Sequence, residues 1–362
     1  MKFLISGGGT GGHIFPAISI ANALREIQPD CEMLFIGAIG RLEMTRVPDA
    51  GYNIIGLEVR GLERKKIWKN FTVLLTFINS YFKAKQIVKN FAPDVAIGVG
   101  GYVSAASVWA ASALKVPVLL QEQNSFAGVA NKFLAKHASK ICVAYNGMEK
   151  FFSKDKIVFT GNPVRKLKIE KLKPAYDFFG FSENKKTLLI IGGSLGAKTI
   201  NESILTEIEK LQNADIQVIW QTGKDYFESI KQKISNFKFQ ISNLFVSDFI
   251  SRMDFAYSIA DLVISRAGAS SISELCLLKK PAILVPSPNV AENHQYHNAM
   301  ALAEKNAAIL IEDKNAVKNL VNKALDTIFD KEKLTVLEKN IATIAVENSA
   351  DTIAKEVIKL KK

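Results

Sequence analysis

Along the chain, segments with the apolar pattern of a β-strand alternate with segments that have the apolar period of an α-helix. Short apolar runs such as Phe3-Leu4-Ile5 predict buried strands, and the stretches between them predict amphipathic helices. In the first half, strands are predicted at 2–6, 33–37, 53–57, 94–99, 117–121, 140–144 and 157–160, with helices at 16–27, 41–50, 68–89, 103–114 and 126–137. Regular alternation of this kind indicates a parallel sheet with helices on both faces.

The second half repeats the pattern. Strands are predicted at 187–191, 216–221, 244–246, 262–265, 282–285 and 308–311, and helices at 198–211, 225–235, 251–259, 270–278, 294–305, 315–328 and, at the end, 333–361. A length of 362 residues favours two domains, and Gly161-Asn162-Pro163 is a strong turn signal between the halves. We therefore predict an α/β protein with Rossmann-like lobes at 1–162 and 163–340, followed by a terminal segment at 341–362.

Each half begins with a glycine-rich turn between a strand and a helix. These turns are Gly7-Gly8-Gly9-Thr10-Gly11-Gly12-His13 and Gly192-Gly193-Ser194-Leu195-Gly196-Ala197. Such a turn gathers backbone N–H groups and the positive end of a helix, which suits a phosphate. Two such turns predict two lobes that face each other, with an activated phosphate donor between them.

Neither turn completes a better-known nucleotide motif. The first turn matches G-x-G-x-x-G, but the second strand runs into Gly37-Ala38 without the acidic residue that binds a ribose in dinucleotide enzymes. The second turn resembles a Walker loop, but Ala197 separates Gly196 from Lys198. An NAD(P) oxidoreductase, favoured only by the first turn, and an ATPase are therefore weaker interpretations.

Three more polar segments follow predicted strands. Ser265 to Glu274 opens a helix, and it is either a capping box or a site where Glu274 binds ribose hydroxyls and the small residues approach a diphosphate. Gly100 to Ser104 and Gln121 to Asn124 reach the carboxyl edge of the sheet, where ligands bind in α/β folds. There Glu122 is either a general base, a residue that orients one, or part of a surface turn.

The net charge is +12 and the estimated pI is near 9.4. This balance favours an anionic partner, namely nucleic acid, a phospholipid surface or a phosphorylated substrate, although simple solubility also explains it.

The three cysteines form no CxxC, the amino-terminal apolar run is too short for a signal peptide, and no apolar stretch approaches a membrane span. This use of cysteine fits a protein of the reducing cytosol. The chain contains no Asp-x-Asp, and His294 and His297 lack metal-site spacing.

The segment 67–82 carries more apolar surface than a sheet-packed helix needs. On a helical wheel its apolar arc spans roughly 220°, whereas about 100° is enough to cover a sheet. Basic residues are concentrated beside it. An anionic membrane surface fits best, with a dimer interface or an enclosed core helix as the alternative. The predicted membrane patch comprises Lys65, Lys66, Trp68, Lys69, Phe71, Leu75, Ile78 and Phe82.

Together the motifs resemble a known family. They occur in order over nearly the whole chain: Gly8 to Pro16, Gly100 to Ser104, Glu122-Gln123-Asn124 with Gly128 and Asn131-Lys132, Gly161 to Arg165, Gly192 to Ser194, Ser265 to Glu274, and Gln295 with Asn298-Ala299. This set resembles the MurG family within glycosyltransferase family 28, which transfers N-acetylglucosamine (GlcNAc) from UDP-GlcNAc to lipid I in peptidoglycan synthesis.

The resemblance implies a GT-B fold, in which two Rossmann-like lobes enclose a cleft and the terminal helix packs back on the first lobe. It implies that the second lobe holds UDP-GlcNAc, with the Ile250 backbone at the uracil, Glu274 at the ribose and Gln295 at the sugar. Arg165, Ser194 and Ala269, Ser270 and Ser271 would hold the diphosphate. Thr10, Gly11, Gly12 and Asn124 would contribute from the first lobe, where lipid I binds.

The implied reaction transfers GlcNAc to the C4 hydroxyl of the MurNAc unit of lipid I, with inversion, to give lipid II. The base is His13 or Glu122, with contact to the phosphates as the alternative role of His13, and no metal or other cofactor is expected. The implied location is the cytoplasmic face of the bacterial plasma membrane, with an anionic lipid surface and no nucleic acid as partner. This chain has Gln121 where many members carry His and Leu195 where many carry Gln. A sugar transferase for another lipid, such as diacylglycerol, and a non-catalytic basic membrane or nucleic-acid binder are the remaining alternatives.

Overall fold

The computed structural model describes residues 1–59, 70–164, 173–193, 195–236 and 243–361, and for residues 70–72 and 291 the backbone alone. The chain divides into two compact units, Met1–Arg165 with Val346–Lys362, and Lys166–Ala345. Some predicted residues lie outside the described part of the chain: Lys65, Lys66, Trp68, Lys69, Arg165, Ser194 and the side chain of Phe71.

The first unit is built on a parallel sheet. Its described strands are β1 Lys2–Gly7, β2 Glu32–Ala38, β3 Asn53–Leu57, β4 Val95–Gly100, β5 Val118–Glu122, β6 Lys140–Val143 and β7 Ile157–Phe159. They lie in the order β3-β2-β1-β4-β5-β6-β7, and every pair is parallel. The order reverses between β1 and β4, so the carboxyl ends of these two strands mark the expected ligand site.

Helices cover both faces of this sheet. They are α1 Gly11–Ile27, α2 Glu43–Asp49, α3 Asn70–Phe91, α4 Tyr102–Ala113 and α5 Val129–Leu134. Two apolar clusters, one on each face, fill the space between the sheet and its helices. Phe3 and Ile5 point into one cluster and Leu4 into the other, as the two-residue period of a strand requires.

The second unit repeats this design. Its described strands are β8 Lys186–Ile191, β9 Ile216–Gln221, β10 Leu244–Ser247, β11 Leu262–Ser265, β12 Ala282–Leu284 and β13 Ile309–Leu310. They lie in the order β10-β9-β8-β11-β12-β13, again parallel, so the order reverses between β8 and β11. Two Rossmann-like α/β units are therefore confirmed.

The helices of the second unit begin with one that the sequence pattern did not predict, α6 Lys173–Phe179. The others are α7 Lys198–Thr206, α8 Ile208–Asn213, α9 Phe227–Ser235, α10 Met253–Ile259, α11 Ala269–Leu277, α12 His294–Ala303, α13 Asp313–Ile328 and α14 Lys331–Ala342. Trp220 is fully buried in the core, and its indole N–H donates to the Asn201 side chain at 3.0 Å.

The last helix, α15 Ser349–Lys359, belongs to the first unit. Its Ile353, Ala354 and Val357 are fully buried in the cluster that contains Phe3. The start of this segment packs against Gly161, where a Cβ would lie 2.5 Å from Val346 Cβ.

Several predicted element bounds are wrong. The helix predicted from Pro16 begins at Gly11, because proline is tolerated early in a helix and does not mark its first residue. The terminal helix predicted at 333–361 is two helices, α14 and α15, and Asn348 before α15 adopts φ 54°. The helix predicted at 198–211 breaks at Glu207, and the one predicted at 126–137 begins at Val129.

Candidate active site

Two glycine turns meet where the strand order of the first sheet reverses. The Gly8 N–H donates to the Gly100 carbonyl at 3.3 Å. A Cβ on Gly101 would lie 2.5 Å from the Gly8 oxygen, and Gly101 has φ +88°. Residue 101 must therefore be glycine, since a side chain there would force the two turns apart.

His13 lies in the first turn of α1, beside these glycines. Its Nδ1 is 3.0 Å from the Gly8 carbonyl oxygen and 3.4 Å from Thr10 Oγ1. A carbonyl only accepts hydrogen bonds, so the geometry assigns the proton of the neutral ring to Nδ1 and the lone pair to Nε2. His13 is half-buried, and its ring packs against Gly100. The predicted residues Thr10, Gly11 and Gly12 are its neighbours at the start of α1.

Glu43, the first residue of α2, also belongs to this site, although the sequence analysis missed it. Its carboxylate accepts the N–H of Gly9 at 3.0 and 3.2 Å and that of Ala38 at 2.9 Å. Glu43 is fully buried. No sequence signal pointed to it, because it lies on the helix after β2 and outside every motif.

Glu122 organises the loop that follows β5. One carboxylate oxygen accepts the backbone and side-chain N–H groups of Asn124 at 3.1 and 3.2 Å. The other accepts the Gly128 N–H and the Asn131 side chain, both at 2.9 Å. With 1% exposure and four donors on its two oxygens, Glu122 holds Asn124 and the start of α5 in place.

A buried group of amide side chains connects this loop to Asn162, near the end of the segment Met1–Arg165. Gln121 Nε2 donates to Asn162 Oδ1 at 3.1 Å, and Asn162 Nδ2 donates to the Gln123 carbonyl at 2.9 Å. Gln123 Nε2 donates to the Val99 carbonyl at 2.8 Å. Gln121 therefore has a structural role in this chain.

In the second unit, the strand order reverses between β8 and β11, and α11 follows β11. Ala269, Ser270 and Ser271 form its first turn, so their N–H groups lie where a helix lacks internal acceptors. Ser270 Oγ is buried and has no hydrogen-bond partner among the described residues. This end of α11 is suited to an anion.

Glu274 lies one turn further along α11. Its Oε2 accepts the hydroxyl proton of Tyr257 at 3.1 Å, and its side chain is only half-buried. On the same helix, burial raises the pKa of the Cys276 thiol to about 12. Cys276 therefore stays protonated at neutral pH and supplies no nucleophile.

Gln221, at the end of β9, connects two parts of the second unit. Its Oε1 accepts the Ile250 N–H at 3.1 Å, and its Nε2 donates to the Gly193 carbonyl at 3.1 Å. A uracil could accept from the Ile250 N–H only after Gln221 releases it. The signal was present in the sequence, since Gln221 is a polar residue at the carboxyl end of a predicted strand.

Two further polar side chains of the second unit, Arg266 and Gln295, follow β11 and β12 in the sequence. Gln295 Oε1 accepts the Ser287 N–H at 2.8 Å. Arg266 pairs with Asp313 and donates to the Val285 carbonyl at 3.0 Å. Asp313 in turn accepts from Thr199 Oγ1 at 2.8 Å, so the charge of Arg266 is balanced inside the unit.

Helix α3 presents an apolar face to solvent. Leu74, Leu75, Ile78 and Phe82 are 54%, 51%, 43% and 61% exposed. The opposite face packs inward through Val73, Ala84 and Val88. Among the described helices, none has the length and apolar content needed to cross a membrane.

Comparison with known proteins agrees with this architecture. The family model described as "Glycosyltransferase family 28 N-terminal domain" matches residues 3–143, and "Glycosyltransferase family 28 C-terminal domain" matches residues 187–357. The crystal structure of Acinetobacter baumannii MurG superimposes with a TM-score of 0.77 at 27% identity, and the match covers 99% of each chain. The GT-B fold class predicted from the sequence is therefore confirmed.

Two curated relatives carry the same name, UDP-N-acetylglucosamine--N-acetylmuramyl-(pentapeptide) pyrophosphoryl-undecaprenol N-acetylglucosamine transferase. The Bacteroides fragilis protein is 56% identical over 99% of this chain and 96% of its own length. The Parabacteroides distasonis protein is 55% identical over 99% of this chain and 98% of its own. The chain therefore belongs to glycosyltransferase family 28.

Proposed function

We propose that this chain transfers GlcNAc from UDP-GlcNAc to lipid I, the MurNAc-pentapeptide pyrophosphoryl-undecaprenol, and so forms lipid II for peptidoglycan synthesis. The observation that carries the proposal is 56% identity, over 99% of the chain, with a relative named for this reaction. The two glycine turns at two strand-order reversals agree with it.

The second unit is proposed to bind the donor. Glu274 accepts hydrogen bonds from the ribose hydroxyls, and the first turn of α11 donates to the diphosphate through Ala269, Ser270 and Ser271. Arg165 and Ser194 add contacts to the same phosphates, Gln295 binds the sugar and the Ile250 backbone meets the uracil. The partial positive charge at the start of α11 and the arginine stabilise the departing UDP, so that no metal is needed in the proposed mechanism.

The first unit is proposed to bind lipid I and to supply the base, with Thr10, Gly11, Gly12 and Asn124 reaching the donor sugar. His13 is favoured over Glu122, because an Nδ1 proton directed at the Gly8 carbonyl makes Nε2 the basic nitrogen of the ring. Glu122 is instead 1% exposed and holds the loop after β5 in place. In the proposed step, Nε2 takes the proton from the C4 hydroxyl as that oxygen attacks C1 of GlcNAc in line. The bond from C1 to the diphosphate oxygen breaks, UDP leaves, and the configuration at C1 inverts.

The chain is proposed to act as a peripheral protein on the cytoplasmic face of the plasma membrane. The exposed face of α3, which includes Leu75, Ile78 and Phe82, supplies apolar contact. The basic residues Lys65, Lys66 and Lys69, together with Trp68 and Phe71, precede or begin this helix in the sequence and would meet anionic lipid headgroups. The net charge of +12 is then explained by a lipid surface rather than by nucleic acid.

A transfer assay tests the proposal. The protein is incubated with radiolabelled UDP-GlcNAc and a short-chain lipid I analogue, and both UDP release and the labelled product are measured. UDP release should depend on the acceptor and should fall by about 100-fold or more in His13→Gln, as expected for loss of a general base. Transfer to a diacylglycerol acceptor, with none to the lipid I analogue, would instead assign the chain to the other class of lipid glycosyltransferase.

A further inference from the structure

Glu43 is a buried carboxylate that the proposed substrate contacts leave unused. It is 0% exposed, and the hydrogen bonds to its oxygens come from the backbone N–H groups of Gly9 and Ala38. Removing a carboxylate from water is costly, and two amide donors recover only part of that cost. A neutral side chain of similar size would serve packing better, so the charge points to a role beyond packing.

Two glycines make room for this side chain. A Cβ on Gly8 would lie 2.0 Å from Glu43 Oε1, and a Cβ on Gly37 would lie 2.6 Å from Glu43 Cγ. The first glycine turn is thus shaped around an internal carboxylate. Because this charge already binds the Gly9 N–H, that part of the turn is unsuited to a phosphate.

Glu43 and His13 bind opposite ends of one peptide group. The carboxylate accepts the Gly9 N–H, and the carbonyl oxygen of Gly8, in the same planar peptide unit, lies 3.0 Å from His13 Nδ1. In a trans peptide the N–H and C=O groups point in opposite directions, so the three groups form a chain from carboxylate to peptide to imidazole. A negative charge on the N–H side polarises the carbonyl and makes it a stronger acceptor.

We propose that Glu43 is a positioning residue for His13, acting through the Gly8–Gly9 peptide. It fixes the orientation of this peptide, which keeps the His13 proton on Nδ1 and makes Nε2 the more basic nitrogen. Gly101 leaves room for the same carbonyl, since a Cβ at this position would lie 2.5 Å from the Gly8 oxygen. The inference rests on the proposed function, in which His13 Nε2 is the base.

Glu43→Gln tests the inference, because it removes the charge at nearly constant volume. We expect kcat in the transfer assay to fall about 10- to 100-fold, with KM for UDP-GlcNAc changed by less than about twofold. The spectroscopic readout is a ¹⁵N–¹H spectrum of the imidazole rings, which is tractable because the chain has four histidines. In the parent protein His13 should show the Nδ1–H tautomer, and in Glu43→Gln the Nε2–H tautomer should gain population.

Asp94→Asn is the matched control. Asp94 also accepts a backbone N–H, that of Lys2 at 2.8 Å, but it lies at the amino ends of the strands. This variant should keep the parent kcat and the parent His13 signals. If Glu43→Gln does not fold, Glu43→Asp replaces it, because Glu43→Asp keeps the charge but is one methylene shorter. We expect the same loss of kcat and altered His13 signals in Glu43→Asp.

The outcomes separate this inference from the proposed function. If His13→Gln is inactive while the folded Glu43 variant keeps the parent kcat and His13 tautomer, the positioning role is overturned and the function stands. If His13→Gln itself keeps full activity, the base assignment in the proposed function fails, whatever Glu43 does.

Discussion

Glu274 offers the clearest residue-scale test of the donor site. Replacing it with Ala removes a carboxylate proposed to accept two ribose hydroxyls, and hydrogen bonds to a charged group are worth about 1.5–3 kcal/mol. We predict that Glu274→Ala raises KM for UDP-GlcNAc about 10- to 100-fold and leaves KM for the lipid I analogue nearly unchanged. Steady-state kinetics with each substrate varied in turn measures both.

Tyr257→Phe is the control for this prediction. It removes only the hydroxyl that donates to Glu274 Oε2 at 3.1 Å and leaves the carboxylate in place. Its effect on KM for UDP-GlcNAc should therefore be clearly smaller than that of Glu274→Ala. An unchanged KM in Glu274→Ala would reject the ribose assignment.

At the residue scale, the site residues that belong to sequence motifs could be predicted, whereas those that lie outside every motif were missed. His13 and Glu122 were found because glycines or apolar strands precede them. Glu43 could not be found, since its role depends on the distance of its carboxylate from Gly9, which only the folded turn defines. Gln221 could have been found by applying to the second half the strand-end rule used for Gln121 to Asn124.

At the scale of single elements, the outward face of α3 makes a quantitative prediction. Leu75 and Phe82 are 51% and 61% exposed, and burying such side chains in a lipid interface stabilises binding by about 1.5–3 kcal/mol each. The double variant Leu75→Ser with Phe82→Ser should weaken binding to anionic vesicles by about 10-fold or more. Vesicle sedimentation over a lipid titration gives the partition coefficient.

Phe329→Ser controls for general loss of surface hydrophobicity. Phe329 is 54% exposed but lies after α13 in the second unit. It should bind vesicles as the parent protein does, and UDP-GlcNAc binding should persist in both variants. An equal loss of vesicle binding in Phe329→Ser would show that α3 is not the specific contact.

The segment that joins α15 to the first unit gives a second prediction at this scale. Gly161 has φ +73°, and a Cβ there would lie 2.5 Å from Val346 Cβ and 2.6 Å from Ser349 Oγ. Gly161→Ala should therefore lower the free energy of unfolding by more than the 1–2 kcal/mol of left-handed backbone strain alone. Urea unfolding measures this, and limited proteolysis should show earlier cleavage near 343–348.

Gly51→Ala is the control that introduces the left-handed backbone strain without a steric clash. Gly51 has φ +79°, but nothing lies within 4 Å of a Cβ placed there. Gly51→Ala should therefore lower the free energy of unfolding only by the roughly 1–2 kcal/mol of left-handed backbone strain. If the two variants lose the same free energy, the contact with Val346 contributes nothing measurable.

Strands were easier to predict than helices for a physical reason. A buried parallel strand such as β8 contains a continuous apolar run, Leu188 to Ile191, so the predicted bounds of the strand nearly coincide with the observed ones. Helix bounds depend on caps and breaks that local composition defines poorly: α1 starts at Gly11 without a side-chain cap, and the chain breaks at Asn348 with positive φ. The missed helix α6 is only seven residues long.

At the scale of the whole molecule, each unit is a complete Rossmann-like fold, yet their charges at the corresponding turns differ. In the first unit the glycine turn lies over the buried carboxylate of Glu43. In the second, the neutral side chain of Gln221 binds the turn at Gly193 instead. Because a fixed negative charge repels phosphate, the second unit is the better diphosphate site.

This asymmetry leads to a prediction for the intact protein. A ligand that binds only the folded state stabilises it by RT ln(1 + [L]/Kd), about 2.7 kcal/mol at 100 times Kd. UDP and UDP-GlcNAc should therefore raise the melting temperature, whereas NAD at equal concentration should not. The shift with UDP should fall to about half or less in Glu274→Ala, because a 10- to 100-fold weaker affinity lowers [L]/Kd by that factor. It should be retained in Glu43→Gln, since Glu43 lies in the first unit. Stabilisation by NAD alone would instead restore the oxidoreductase interpretation of the first glycine turn.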